Sequence, residues 1–198
     1  MIELDETHLI GKGNSRSVYL HPEDPNRVIK IEGNQASKAK PNNAIDYLYF
    51  NYLLKRKRDL SQIATCYGWI DTTLGEGLMF QNIRNFDGTK ALTFKEAILS
   101  GSLSHKVSQN LLEDFIRYLY VNNIIFADIA LSNLMVQFQY NKIVKLIVID
   151  GLGTRRFKFK FWIYRKFDYM AYRKIIKQTN KLRRSYDNLL LKCKLIEQ

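Results

Sequence analysis

Apolar and polar residues change their spacing twice along this chain. In "THLIGKGNSRSVYLHPEDPNRVIKIEG" short alternating runs are separated by turn residues. That predicts strands near His8–Gly11, Ser17–His21 and Arg27–Ile31, with "HPEDPN" as the second turn. "NNAIDYLYFNYLLKRKRDL" then places aromatic and aliphatic residues at helical intervals. "TCYGWIDTTLGEGLMFQNI" returns to alternation and reads as a hairpin around "LGEG". Beyond the polar stretch "RNFDGTK", both "LTFKEAIL" and "SQNLLEDFIRYLYVNN" predict helices. "LMVQF" and "IVKLIVID", joined by "QYNK", predict another hairpin. From Gly151 onward aromatic and basic residues interleave, which predicts two helices divided near Thr179–Asn180.

The order is β-rich with one helix, a short hinge, then α-rich with one hairpin. This predicts an α+β chain of two lobes, a β-rich N-lobe over 1–83 and a small α-helical C-lobe over 84–198, forming one bilobal domain. A cleft is expected at the hinge around Asn82–Gly88, where small ligands commonly bind.

Composition narrows the class. The chain has 198 residues, 46% hydrophobic and 25% charged, the profile of a globular protein. No run approaches the roughly 18 apolar residues of a membrane span. The acidic start "MIELDETHLI" lacks the apolar core of a secretion signal. Cys66 and Cys193 lie far apart and form no metal or redox spacing, so a reducing cytoplasm is the expected location.

The net charge of +12 changes the picture because it is uneven. Residues 1–153 carry 17 Lys/Arg against 16 Asp/Glu, whereas residues 154–198 carry 14 against 3. The terminal excess favours an anionic partner. Over 155–184 the aromatics either cover the C-lobe or, with the basic residues, form a surface for an anionic membrane or an acidic partner. A membrane role would place the protein peripherally at the inner membrane. Nucleic acid is the least favoured partner. Read as a helix from about Phe161, the segment puts Phe161, Tyr164, Phe167 and Tyr172 on one broad face with Ile175 and Ile176. Trp162 and Phe159 separate the two readings: buried they are core, exposed they are a docking site.

Three short segments carry candidate chemistry. Gly11 and Gly13 flank one residue of the first turn, which is either an ordinary turn or a loop that lets backbone approach phosphate. Lys30 stands mid-strand in "VIKI", where its ammonium needs an anion unless the strand is an edge. Asp150-Gly151 ends "LIVID" as a common turn or as a carboxylate suited to Mg2+. In "IIFADIALSNLM" Asp128 and Asn133 lie five positions apart between apolar flanks, as a surface turn or as a pair of oxygen groups for a proton and a metal.

Their order resembles that of protein kinases: glycine hairpin, strand lysine, helix, hairpin, hinge, helix, D-x-x-x-x-N, hairpin, D-G. The separation of Lys30 from Asp128 is similar as well. The resemblance implies ATP and Mg2+ as cofactors. Lys30 would hold phosphates, Gly11, Gly13 and Val18 would cover the nucleotide, and Asn133 and Asp150 would bind the metal. Asp128 would orient the acceptor hydroxyl and take its proton, and Asp46 would be the helix carboxylate paired with Lys30.

Within that group the chain is similar to the bacterial PhoP regulatory network (YrbL type) family from about Leu9 to Thr179. The pieces that carry this are "LIGKGNSRSVYLHPEDPNRVIKI", "NFDGTKALTF", "NNIIFADIALSNLMV" and "FWIYRKF". The resemblance implies a kinase-like protein with an unidentified acceptor, acting in a PhoP-linked or envelope-stress response. The chain also departs from kinases: Arg16 replaces the third loop glycine and Phe126-Ala127 replaces His-Arg. Ala130 stands where Ser/Thr kinases keep lysine, Gly151 replaces phenylalanine after the metal aspartate, and no A-P-E follows. These departures point toward compact small-molecule, lipid A-type or RIO-type kinases. They also support an alternative, a kinase-fold regulatory or binding protein with little chemistry.

Overall fold

The computed structural model describes residues 1–13, 15–33, 42–139, 142–153 and 159–196. Its first part is a five-stranded antiparallel sheet of β1 (Leu9–Lys12), β2 (Arg16–Leu20), β3 (Arg27–Glu32), β4 (Cys66–Thr72) and β5 (Gly75–Gln81), in the order β1-β2-β3-β5-β4. Between β3 and β4 runs α1 (Asn42–Lys55). The second part contains β6 (Leu92–Thr93), α2 (Phe94–Leu99), α3 (His105–Val121), β7 (Leu134–Gln139) and β8 (Lys142–Val148). It ends in α4 (Phe159–Lys166) and α5 (Asp168–Ile196). Strands β6-β7-β8 form a small sheet of their own. The chain is therefore α+β, as the periodicity predicts.

Register decides what each sheet face carries. Gly11 lies opposite Val18, Val18 opposite Lys30 and Lys30 opposite Leu78, a row across four strands on one face. Val28, Leu78 and Phe80 are buried on that face beside Tyr47 of α1. The other face buries Ile29 and Ile31 under Leu4. Lys30 thus lies among apolar residues on this covered face, with the charged pair Arg16 and Glu32 two residues along β2 and β3 on the same side.

α1 joins the two parts. Ile45, Tyr49, Phe50 and Leu53 enter the main core with Leu112, Phe115, Leu119 and Phe126, while Tyr47 meets the sheet. α3 starts with the Ser104 side chain accepting from the Val107 amide and buries Leu111, Leu112, Phe115, Ile116 and Leu119 at helical spacing. α2 is held by a reciprocal cap, Thr93 N–H donating to Glu96 at 2.8 Å and Glu96 N–H to Thr93 Oγ1 at 3.2 Å. The polar hinge forms a closed turn on β7, with Phe86 N–H donating to the Phe138 carbonyl at 3.0 Å.

The terminal helices divide at Phe167, not at Thr179–Asn180. Thr179 is buried, donates from its hydroxyl to the Ile175 carbonyl at 3.0 Å and meets the Tyr120 hydroxyl at 2.7 Å. A threonine satisfied within its own helix does not break it. The break also ends the single aromatic face expected from Phe161. Ile175 is buried in α5, whereas Phe167, Tyr172 and Ile176 are exposed. Phe161 and Phe159 have side chains outside those described. No described helix is long and apolar enough to cross a membrane.

Candidate functional site

A knot of four charges occupies the junction of the large sheet, α1 and the end of β8. The Lys30 ammonium donates to the Ile149 carbonyl at 2.6 Å, lies 3.7 Å from Asp150 Oδ1 and sits 4.4 Å from the centre of the Phe80 ring. Arg16 donates to Asp46 at 2.6 Å through one terminal nitrogen and to Asp150 through the other. A charge-assisted fork of this kind fixes orientation as well as sign. The expected pairing of Asp46 with Lys30 is therefore made by Arg16, the residue that stands where kinase loops carry a third glycine.

Local sequence explains the arrangement. Asn43 and Asp46 are three residues apart and share a face of α1. Asn43 accepts from Arg16 at 3.1 Å, donates through its side chain to the Lys30 carbonyl at 2.8 Å and donates its backbone N–H to the Glu32 carboxylate at 2.7 Å. Asn43 thus ties α1 to β2 and β3. Sequence reading missed both Asn43 and the bridging role of Arg16. The only local signal was Arg16 itself, a cation at the start of a strand where the loop pattern calls for glycine; its partners are 30 and 134 positions away.

Burial and charge oppose one another here. Burial pushes the Lys30 ammonium below its ordinary value, against the attraction of Asp150. Burial would raise the Asp150 carboxyl, but Lys30 and Arg16 outweigh it and hold it low. Burial pushes the Asp46 carboxyl up, against Arg16 and Lys30. For Arg16 the two carboxylates outweigh burial, so the guanidinium stays charged.

The loop carrying Asp128 is built against Asp150-Gly151. The Gly151 carbonyl accepts from Ala127 N–H at 2.7 Å and Asp128 N–H at 3.0 Å, and Asn133 Nδ2 donates to the Asp128 carbonyl at 3.1 Å. Ile149 N–H donates to the Asn133 carbonyl at 3.0 Å, which brings Asn133 beside the strand end that bears Asp150. Gly151 has φ +84°, and a Cβ there would fall 2.6 Å from that of Asp128. Gly153, at φ +74°, similarly admits the Tyr49 ring, whose hydroxyl accepts from Ile125 N–H at 2.8 Å. The two glycines of "IDGLG" are thus close-approach positions.

The oxygen set fits a hard cation. Asn133 uses Nδ2 for its loop bond, and Asp150 meets Arg16, Lys30 and Gly151 N–H through Oδ1. Asn133 Oδ1 and Asp150 Oδ2 are the remaining oxygens, of the type Mg2+ takes when phosphate and water complete its shell. A cavity of about 10 Å³ lies among Asp46, Phe50, Phe80 and Asp150, room for one water at most. On the sheet side, a Cβ at Gly11 would meet Val18 at an ordinary 3.8 Å and one at Gly13 would meet the Arg16 carbonyl at 3.4 Å. Packing within the chain does not require glycine at Gly11. Asn14, between Gly13 and Ser15, lies outside the described residues.

The comparisons with known proteins agree with one another. A family model described as PhoP regulatory network protein YrbL matches residues 2–187. YrbL of Escherichia coli (strain K12) is 29% identical over 155 residues, covering 77% of this chain and 74% of that protein. YrbL of Shigella flexneri gives the same figures.

Proposed function

Starting from a chain that belongs to the PhoP regulatory network (YrbL) family, we propose that it is an ATP- and Mg2+-dependent phosphotransferase with a kinase-like two-lobed fold, divided near residue 83. Lys30 holds nucleotide phosphates beneath Gly11, Gly13 and Val18, and Asp128 orients the acceptor hydroxyl and receives its proton. Asn133 Oδ1 and Asp150 Oδ2 are the groups that would hold the metal, which when bound neutralises phosphate charge. Arg16 replaces Lys30 as the partner of Asp46 and keeps α1 against the sheet. The observation that carries the reading is the convergence of Lys30 on Asp150 at 3.7 Å, with the Asp128 loop bonded to the next residue, Gly151. A family tie to a PhoP-linked response is compatible with it.

The test is nucleotide turnover. Purified protein with Mg-ATP and an acceptor panel should release ADP, and Asp128→Asn should cut the rate by about 10²-fold or more with ATP affinity kept. Undiminished transfer in that variant overturns the role of Asp128. Binding of Mg-ATP without turnover on any acceptor would favour the alternative, a nucleotide-binding regulatory protein.

The reading includes a peripheral site of action. Trp162 is 57% exposed, Phe167, Tyr169 and Tyr172 are exposed too, and α4 and α5 also expose Lys166, 5.7 Å from the Phe167 ring centre, Arg173 and Lys177. Exposed indole and phenyl groups beside cations suit the headgroup layer of an anionic bilayer. This supports the docking reading of the 155–184 region over the purely structural one.

A further inference from the structure

α2 and α5 face each other beside the loop that carries Asp128. Between them lies a groove of about 360 Å³, lined by Lys95 of α2, Ala130 and Ser132 of the loop, and Ser185, Asn188 and Lys192 of α5. The loop wall begins at Ile129, the residue after Asp128. Ser185, Asn188 and Lys192 are spaced three and four residues apart, so they form one stripe of the helix.

The two walls are fixed to each other. Tyr186 of α5 stacks on Phe94 of α2 with ring centres 6.0 Å apart, and its hydroxyl meets Ser108 of α3 at 2.7 Å. Phe94 is fully buried. Lys95 follows Phe94 directly, and Ser185 precedes Tyr186. The core contact that docks α5 therefore also sets the width of the groove. One turn earlier Arg183 grips Glu113 of α3 through two bonds of 2.8 and 2.6 Å.

The lining chemistry selects a ligand class. Beside the apolar Ile129, Leu131 and Leu189 it holds two ammonium groups, two hydroxyls and one carboxamide, with no carboxylate among the described lining residues. The ammonium groups favour an anion, and the serines and Asn188 can exchange hydrogen bonds with hydroxyls. Its volume is at the lower end of ligand clefts, the size for a single sugar unit.

We propose that this groove is the acceptor subsite and that it takes a small anionic polyol, a hydroxyl-bearing molecule with a phosphate or carboxylate. The inference rests on the phosphotransferase reading above for the word acceptor. Its anion site stands on the groove alone. The bound molecule would present a hydroxyl toward Asp128 while Lys95 and Lys192 hold its charged end.

Three matched probes test it: glucose, a glucose monophosphate and gluconate, titrated calorimetrically without nucleotide. Mg-ATP affinity is measured on the same samples. The anionic probes should bind and glucose should not. The phosphate or the carboxylate arm, whichever binds tighter, identifies the anion. K95E/K192E should weaken anion binding by about tenfold or more, with Mg-ATP affinity and melting temperature retained. Equal binding of glucose, unchanged affinity in the double variant, or no binding by any probe overturns the inference. Mg-ATP binding without anion binding sinks the groove alone. Anion binding without Mg-ATP binding sinks the phosphotransfer reading and the acceptor role with it.

Discussion

Replacing Arg16 by methionine keeps most of the side chain's length and removes its charge. Arg16 and Asp46 each have side chains 10% exposed and meet at 2.6 Å, so Asp46 would be left buried without its closest cation. Breaking a buried pair from one side costs about 3–5 kcal/mol. Asp150 adds little to that figure, because its side chain is 34% exposed and Lys30 remains 3.7 Å away. The expected loss is therefore about 3 kcal/mol, mostly through Asp46, or a fall in melting temperature of about 6–12 °C for a chain of this size. Burial already pushes the Asp46 carboxyl upward, and losing Arg16 raises it further. A folded-state carboxyl above its unfolded value takes up a proton on folding, so the penalty is present at about pH 8 and shrinks toward pH 4. Urea denaturation of Arg16→Met, Asp46→Leu and the double variant gives the coupling. The pair should couple by about 2 kcal/mol or more, with the double variant more stable than Arg16→Met. Losses under about 1 kcal/mol that add without coupling, or a penalty independent of pH, would refute the reasoning.

Three other outcomes follow from the geometry. Gly151→Ala should cost about 2 kcal/mol or more in denaturation, since φ +84° is strained for alanine and its Cβ would strike Asp128, whereas Gly68→Ala at φ +104° meets nothing within 4 Å and should cost about 1 kcal/mol. The Cys66 thiol, pushed up to about 11 by burial, should resist alkylation at neutral pH and react faster as pH approaches that value, followed by mass spectrometry. Fluorescence of the exposed Trp162 should shift to shorter wavelength with vesicles containing anionic lipid, not with neutral ones, and the shift should vanish in Trp162→Ala.

Much of this arrangement could be read from the sequence, and the exceptions share a cause. Strands β1 to β3 follow from local periodicity to within a residue, and the β4–β5 hairpin, α1 and α3 were legible as elements, although α1 stops at Lys55 before "RKRDL" and α3 begins at His105, three residues before the expected stretch. The apolar neighbours Ile29 and Ile31 left Lys30 either buried or on an edge strand, and the central place of β3 in the sheet decides for burial. The bond from Arg16 to Asp150 joins residues 134 positions apart, and no local pattern specifies it. Thr179 read as a breaker because its bond to Tyr120 is also long-range. β6 is two residues long, too short for alternation, and owes its existence to pairing with β7. Gly151 of "IDGLG" was visible as a turn residue and Gly153 carried no signal. The approach of Asp128 to Gly151 and of Tyr49 to Gly153 gives the reason for each.

The central claim is that Lys30, Asn133 and Asp150 grip one nucleotide triphosphate with its metal. Its most direct measurement is ATP affinity with and without Mg2+, in the wild type and in Asp150→Ala. The wild type should bind more tightly with Mg2+ and gain about 2.7 kcal/mol of stability at a hundredfold excess over Kd. Asp150→Ala should lose that dependence on Mg2+. Wild-type affinity indifferent to Mg2+, an unaltered response in the variant, or no binding by the wild type would contradict the account.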